Sequence, residues 1–396
     1  MKSAGALARR GFSVEVLGAW LDPVLKARDE ALEASLPFRF TPVMDLTINR
    51  LSRLRGRMRS KAGHFAQRFA NVENCWQLGH FYPELRRATF HRNADLFISH
   101  SEQAMAVVVD LLRAGRRVGV DMEDWFSEDL LPYARRRRPL RLLRSLEREL
   151  LVGGCYSSCP SRAMSVALAE ENSCKPPTVI YNAFSWAERS LLDDVQRDRQ
   201  NRRLPSIHWY SQTLGQGRGL EDLLAALPLL KNAAEIHLRG EPTIGFKEWL
   251  DTRVPDNWRS RIFLHGLVTN AELMPRVAEH DIGFAGEMTY CRNRDLTVTN
   301  KILYYLLAGL AAVASDTAGQ REVAEQAPGA VLLYPSGDFA GLAIQLDSLL
   351  GSPERLGRAK ASALRAAKQT FCWEQQEPVL LNSVTRAMCE RPEIVE

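Results

Sequence analysis

Thr299–Val323 reads TNKILYYLLAGLAAVASDTAGQREV, and its reading decides the fold of this chain. Thr299 and Asn300 are helix-capping residues, and Lys301 opens an apolar run spaced for one buried face. Gly309 stands where such a helix stops, because glycine enters the left-handed region without steric cost. A strand of small apolar residues, Leu310–Ser315, follows, and then a loop, Asp316–Gln320, that feeds another helix. Helix, tight turn, buried strand and loop place free backbone N–H groups at two neighbouring helix starts. With their positive dipole ends, such starts suit a phosphate.

The same alternation extends outward in both directions. Strand candidates in the first half are Ser13–Leu17, Leu96–Ser99, Val118–Val120, Tyr156–Ser158 and Val179–Tyr181. In the second half they are Ile207–Tyr210, Glu235–Arg239, Ile262–His265, Asp281–Ala285, Leu310–Ala314 and Ala330–Leu333. Strands separated by helices imply parallel sheets covered on both faces, an α/β protein. At 396 residues the chain exceeds the size at which a single core keeps growing, so two domains are expected. The polar stretch Trp186–Pro205 is the best linker candidate, which gives domains 1–184 and 185–371 with a last helical segment, 372–396, returning to the first. Met1–Arg10 already reads as a helix where a doubly wound domain normally opens with a strand. The first strand is therefore apparently missing, and a late start of the gene model is the favoured explanation.

Composition bounds the function classes. With 45% hydrophobic and 25% charged residues the chain reads as soluble and globular. No apolar run reaches the length of a membrane span, and Met1–Arg10 has no signal-peptide core. Seven cysteines at irregular spacing argue for a reducing, cytoplasmic compartment, and Cys155 and Cys159 without a second pair make a poor zinc signal. The net charge is only +5, but it is unevenly placed. Arg50, Arg53, Arg55, Arg57, Arg59, Lys61 and Arg68 lie in a stretch without an acid. Arg135–Arg138, Arg141 and Arg144 interleave with Leu140, Leu142, Leu143 and Leu146. Basic residues beside leucine and phenylalanine suit an anionic membrane surface, at the inner face of the membrane, and equally a solvated basic face. No motif supports nucleic acid as a partner.

A second glycine-rich loop, Ser211-Gln-Thr-Leu-Gly-Gln-Gly-Arg-Gly-Leu-Glu221, follows a predicted strand and opens a helix. Gly215, Gly217 and Gly219 permit a tight turn with exposed N–H groups, and Arg218 supplies charge for a diphosphate. Leu220 occupies the third glycine position of a dinucleotide fingerprint, so that reading is weak. His100 ends a strand of the first half, and Asp121, Glu123 and Asp124 follow the next. These acids can accept hydrogen bonds from sugar hydroxyls or take an acceptor proton, and equally cap a helix near Ser127.

Taken together, these segments resemble the family-4-type glycosyltransferases, two-domain enzymes of the GT-B fold acting in bacterial exopolysaccharide and lipopolysaccharide synthesis. Asn300, Lys301, Gly309, Ala314, Ser315, Asp316, Gly319 and Glu322 match the family's donor-binding pattern, while Tyr304 stands where the family has the Glu that holds the ribose. In the loop motif G-R-x(5)-K-G, Arg218 takes the place of the phosphate-binding Lys and Gln212 that of its partnering Arg. Arg keeps the chemistry, whereas Gln212 loses a charge. Ala94–His100 is similar to the strand ending in the family's active-site His, and Asp121–Asp124 to its D-x-H-E motif, with Glu123 replacing the His. Glu287 or Asp295 is the candidate for a carboxylate contacting the transferred sugar. Thr370–Glu374 resembles an F-x-W-E motif that introduces the last helix.

The resemblance implies two Rossmann-like doubly wound domains facing each other across a cleft. It implies transfer of a sugar from a UDP- or GDP-linked donor to a saccharide or lipid-linked hydroxyl acceptor. The expected catalytic residues are His100, Glu123 and Asp124. The expected donor-binding residues are Gln212, Gly217, Arg218, Gly219, Glu287, Thr299, Asn300, Lys301 and Tyr304. Neither metal nor cofactor is expected, because cations and helix starts neutralise the leaving diphosphate. Retention at the anomeric carbon is implied by the family alone. A sugar-nucleotide epimerase of the same fold, which would rely on Glu287 or Asp121, and a non-catalytic binding subunit with a degenerate site are the rival readings.

Overall fold

Strands and helices alternate through the computed structural model, which describes residues 1–389 apart from 34, 49 and 200–202. Every pairing between its strands is parallel. The chain forms two units: Met1–Pro160 with Ser165–Ile180 and Glu377–Glu396, and Tyr181–Gln376 with Ser161–Met164. Each is a parallel, Rossmann-like α/β arrangement.

In the first unit β1 (Glu15–Trp20) pairs with β2 (Arg39–Asp45) in a two-stranded sheet. β3 (Phe97–Ser99), β4 (Val118–Asp121), β5 (Tyr156–Cys159) and β6 (Thr178–Val179) form a separate sheet in that order. Residues of β1 and β3 line one cavity of about 750 Å³, closed on another side by Leu380 and Val384 of the helix Trp373–Cys389. In the same unit the hydroxyls of Ser383, on that helix, and Thr178 lie 3.2 Å apart. β2 is a strand that periodicity does not reveal: Pro42 lies within it, and its residues run irregularly from exposed through half-buried to the buried Met44.

The second unit is a six-stranded sheet. It contains β7 (Ser206–Leu214), β8 (Glu235–Pro242), β9 (Ile262–His265), β10 (Ile282–Ala285), β11 (Ala311–Ser315) and β12 (Val331–Tyr334), in the order β12-β11-β10-β7-β8-β9. β10 and β11 are buried at every residue, which is why they read as short, uninterrupted runs of small and apolar side chains. Ile207, Trp209, Ile236, Leu238, Ile282 and Val313 of four inner strands share one core cluster. Gly309 ends the helix Asn300–Ala308 at φ +86°, a left-handed cap that turns the chain directly into β11.

The stretch Trp186–Pro205 differs from the solvated linker expected of its composition. Asp193–Arg197 are exposed, but charges along the stretch are tied to the second unit. Asp193 accepts from Arg276 at 2.8 Å, Asp198 pairs with Arg239, and Arg199 reaches Glu235 at 3.1 Å and Asp281 at 3.0 Å. Asp198, Glu235, Arg239 and Arg276 are all buried. Paired charges inside a protein read in sequence like surface charges, because composition does not report partners.

Candidate functional site

β7 pairs with β8 on one side and β10 on the other, so the direction of strand addition reverses between β7 and β10. Loops leaving two such strands at their carboxyl ends diverge and open a crevice, the usual ligand position in an open parallel sheet. Most of the donor-site candidates lie on these loops and on the start of the next helix. After β7, Gly219 takes φ +82° and packs against Gly286, which follows β10. A Cβ at Gly219 would lie 2.3 Å from the Gly286 carbonyl oxygen, so only glycine lets the two loops touch.

The charged groups follow from that contact. Arg218, exposed beside Gly219, donates from Nη1 to Ser211 Oγ at 3.0 Å. Glu287, next to Gly286, is buried, and its backbone N–H donates to Ser315 Oγ at the end of β11 at 2.7 Å. Its carboxylate receives Lys301 Nζ at 3.0 Å and stands 3.8 Å from Arg294 Nη1. The Lys301 ammonium also lies 5.3 Å from the centre of the Trp209 ring. Thr299 caps the helix Asn300–Ala308 in an extended conformation, and its buried hydroxyl has no partner among the described residues. Lys301, Arg294, a fixed carboxylate and a helix start thus collect beside Gly286, and Arg218 stands next to Gly219 on the facing loop.

Two expectations need correction. Tyr304 does not present itself to a ligand: it is 2% exposed, with its ring 4.5 Å from Phe184 and 5.9 Å from Tyr210. Burial raises its phenol far above the usual range, and Glu188 adds to the shift. An aromatic ring at this position fills apolar space where a Glu would have to be solvated. Gly217 is the second correction. Its N–H already donates to Glu221 Oε1 at 2.6 Å, so this amide is engaged within its own loop. Gln212 is exposed on β7, at the irregularity between Tyr210 and Thr213.

In the first unit, β3 and β4 deliver His100 and Asp121 from their carboxyl ends. His100 Nδ1 stands 3.2 Å from Asp121 Oδ2 and 3.4 Å from Glu123 Oε1. Burial opposes the charged imidazole, but the bonds to Asp121 and then Glu123 outweigh it and raise its pKa to about 9. Asp121 is held below its usual range: burial works against ionisation, and the His100 contact and a 2.9 Å bond from Ser158 Oγ prevail. At neutral pH this is a protonated imidazolium between two carboxylates, a hydrogen-bond donor rather than a base. The ligand atoms of the three residues lie within 4.8 Å of one another, a spacing at which a divalent ion can replace the proton. The N–H and hydroxyl of Ser127 both donate to the buried Glu147, at 2.9 and 2.6 Å.

Four arginines of the second basic cluster are paired. Arg135 and Arg144 pair with Glu128 at 3.0 and 2.9 Å, Arg138 pairs with Glu102, and Arg141 lies 3.4 Å from Glu73. Leu143, Leu146, Leu150 and Leu151, on the helix Leu140–Gly153, are buried. The helix is structural on its leucine face, and Arg136 and Arg137 before it stay exposed. The side chain of Arg50 in the first cluster lies outside the described residues. Residues that sequence reasoning passed over are Trp209 beneath Lys301, Arg294 beside Glu287, and Ser315 as the anchor of the Glu287 amide. Ser315 alone carried a signal, as part of the matched motif.

Residues 207–352 match the family model described as glycosyl transferases group 1, a span that contains all of these second-unit groups. The fold is that of GT-B glycosyltransferases. Anabaena HepE in complex with UDP and glucose superposes with a TM-score of 0.69 at 15% identity, over 97% of this chain and 95% of that one. Sucrose-phosphate synthase from Thermosynechococcus elongatus gives 0.68 at 14% identity, over 97% and 90%. A UDP-forming trehalose-phosphate synthase from Burkholderia xenovorans gives 0.64 at 12% identity, over 96% and 100%. No curated protein matches the sequence. Among the described residues, no helix is long and apolar enough to cross a membrane.

Proposed function

We propose that the protein transfers a sugar from a nucleoside diphosphate sugar to a hydroxyl acceptor, in the synthesis of a surface polysaccharide or glycolipid at the cytoplasmic side of a membrane. The observation that carries this is the gathering of Arg218, Gly219, Glu287 and Lys301 at the strand-order reversal of the second unit, inside the span that matches the group 1 transferases. In this reading the second unit holds the donor and the first unit serves the acceptor. Arg218 and Lys301 receive the diphosphate, and Glu287 accepts hydrogen bonds from the sugar hydroxyls. The bond between the anomeric carbon and the diphosphate oxygen breaks, and the acceptor oxygen takes its place on that carbon. The leaving diphosphate gains negative charge, which fixed cations and helix-start amides stabilise without a metal. His100, held protonated by Asp121 and Glu123, donates a hydrogen bond to substrate; Glu123 or Asp124 accepts the hydroxyl proton. UDP-linked donors are favoured over GDP-linked ones, since HepE is a complex with UDP and glucose. Retention is the expected stereochemistry.

Calorimetric titration with UDP- and GDP-sugars, paired with an assay of released nucleotide, tests the reading. Lys301→Ala should weaken donor binding by roughly 1.5–3 kcal/mol, the worth of a hydrogen bond to a charged group. Unchanged affinity in that variant overturns the donor-site assignment. Burial of Tyr304 favours a second reading, a subunit that binds nucleotide sugar without turning it over. Binding without nucleotide release for any acceptor would select it.

A further inference from the structure

The helix Arg50–Ala70 is built inside out. At about 100° per residue, Leu54, Met58, Ala62, Phe65 and Phe69 fall within about 80° of arc. That stripe faces solvent: Leu54 is 55% exposed, Met58 61%, Phe65 62% and Phe69 67%. The two phenylalanine rings lie against each other, tilted by 36° with centres 4.2 Å apart.

The opposite side carries Gly56, Ser60, Gly63 and Gln67, and it is this small, polar side that packs inward. A Cβ at Gly56 would lie 3.0 Å from His80 Cβ, and one at Gly63 would lie 2.9 Å from Asn74 Oδ1. Asn74 Nδ2 donates to the Gly63 carbonyl at 3.4 Å, Gln77 Nε2 to Gln67 Oε1 at 2.6 Å, and Gln67 Nε2 to the Arg138 carbonyl at 3.3 Å. Glycines and amides therefore fix the orientation, which burial of apolar surface would reverse.

Cations flank the exposed stripe. Arg55 lies on one side and Arg57, Lys61 and Arg68 on the other, and no acid occurs between Asp45 and Glu73. Arg59 pairs with Glu84 at 2.7 Å; Arg55, Arg57, Lys61 and Arg68 join no ion pair among the described residues. Arg68 instead lies 5.7 Å from the centre of the Phe69 ring. A long apolar stripe edged by arginine and lysine fits the boundary of an anionic bilayer, with the rings at acyl depth and the cations at the headgroups. A second copy would bring two cationic faces together, which charge opposes.

We propose that the helix Arg50–Ala70 is the membrane-docking element, lying in the plane of an anionic leaflet with Leu54, Met58, Phe65 and Phe69 inserted. The proposal rests on the reading of the protein as one that works at a membrane, and not on the sugar it transfers. The test is co-sedimentation of the full chain with vesicles of phosphatidylcholine alone or mixed with phosphatidylglycerol. Binding should appear only with phosphatidylglycerol and weaken as salt rises. Phe65→Glu/Phe69→Glu should lower the partition coefficient by at least about tenfold while leaving the melting temperature and donor binding unchanged. Arg141→Ala, on the paired helix, should bind as the parent does. The proposal is overturned by equal binding to both vesicles, by no binding to either, or by an unaffected double variant. Concentration-dependent dimers abolished by the double variant would give the face to a second copy and also overturn it. Donor titration without vesicles judges the sugar-transfer reading separately.

Discussion

The helices Arg50–Ala70 and Leu140–Gly153 look alike as sequence, each a mixture of arginines with large apolar residues, and the folded protein uses them in opposite ways. The later helix buries leucines, and Arg135, Arg138, Arg141 and Arg144, on and just before it, are answered by Glu73, Glu102 and Glu128. The earlier helix turns glycines inward and leaves its apolar stripe and most of its described cations unanswered. Charge and hydropathy count what a segment carries. What the rest of the chain supplies to neutralise it decides whether the segment is a structural element or an unfinished surface.

The largest effect that can break this contrast is in the core of the later helix. Leu143→Ala should destabilise the protein by roughly 2–5 kcal/mol in denaturant unfolding, because it leaves a cavity at a fully buried site. Leu54→Ala on the earlier helix should change stability by no more than about 0.5 kcal/mol. Equal losses would mean that the stripe of the earlier helix is packed in solution.

Next in size is the polar seam under the earlier helix. Gly63→Leu should cost about 1–3 kcal/mol, since even its first carbon meets Asn74 and must displace the helix. A melting temperature unchanged from the parent's would show that the seam does not hold the helix in place.

The smallest effect concerns a paired cation elsewhere in the first unit. Because His100 has a folded pKa above its ordinary value, the stability it contributes is full below about pH 6.5 and is lost as pH rises through about 9. Its side chain is 45% exposed, so solvent screening keeps the contribution under about 1 kcal/mol. A pH series of unfolding curves should show this decline in the parent and not in His100→Ala, and identical slopes would dissociate His100 from its carboxylates.

Much of the fold was legible because it is local. The span from Thr299 to Val323 folds as helix Asn300–Ala308, strand Ala311–Ser315 and helix Ala318–Gln326, each close to its expected limits, since caps, glycine and apolar runs act over a few residues. Arg218 and Lys301 were legible as residues of matched motifs, and Glu287 only as an alternative to Asp295; the contact of Gly219 with Gly286 follows from strand order. Tyr304 was misread because helical spacing from Lys301 does not say which side faces the core. β2 was hidden by Pro42, and Trp186–Pro205 by the separation of its charges from partners such as Glu235, Arg276 and Asp281.

That last stretch sets where the molecule can be cut. An expressed fragment opening at Ser206, the first residue of the six-stranded sheet, would discard Asp193, Asp198 and Arg199. Arg239 would then lose Asp198 and Glu235 would lose Arg199 in the interior, at roughly 3–5 kcal/mol for each broken pair, while Arg276 would keep Glu279. A fragment opening at Tyr181 keeps the whole set. The polar preface to the sheet behaves as its keel, and dissection of the protein succeeds or fails on retaining it.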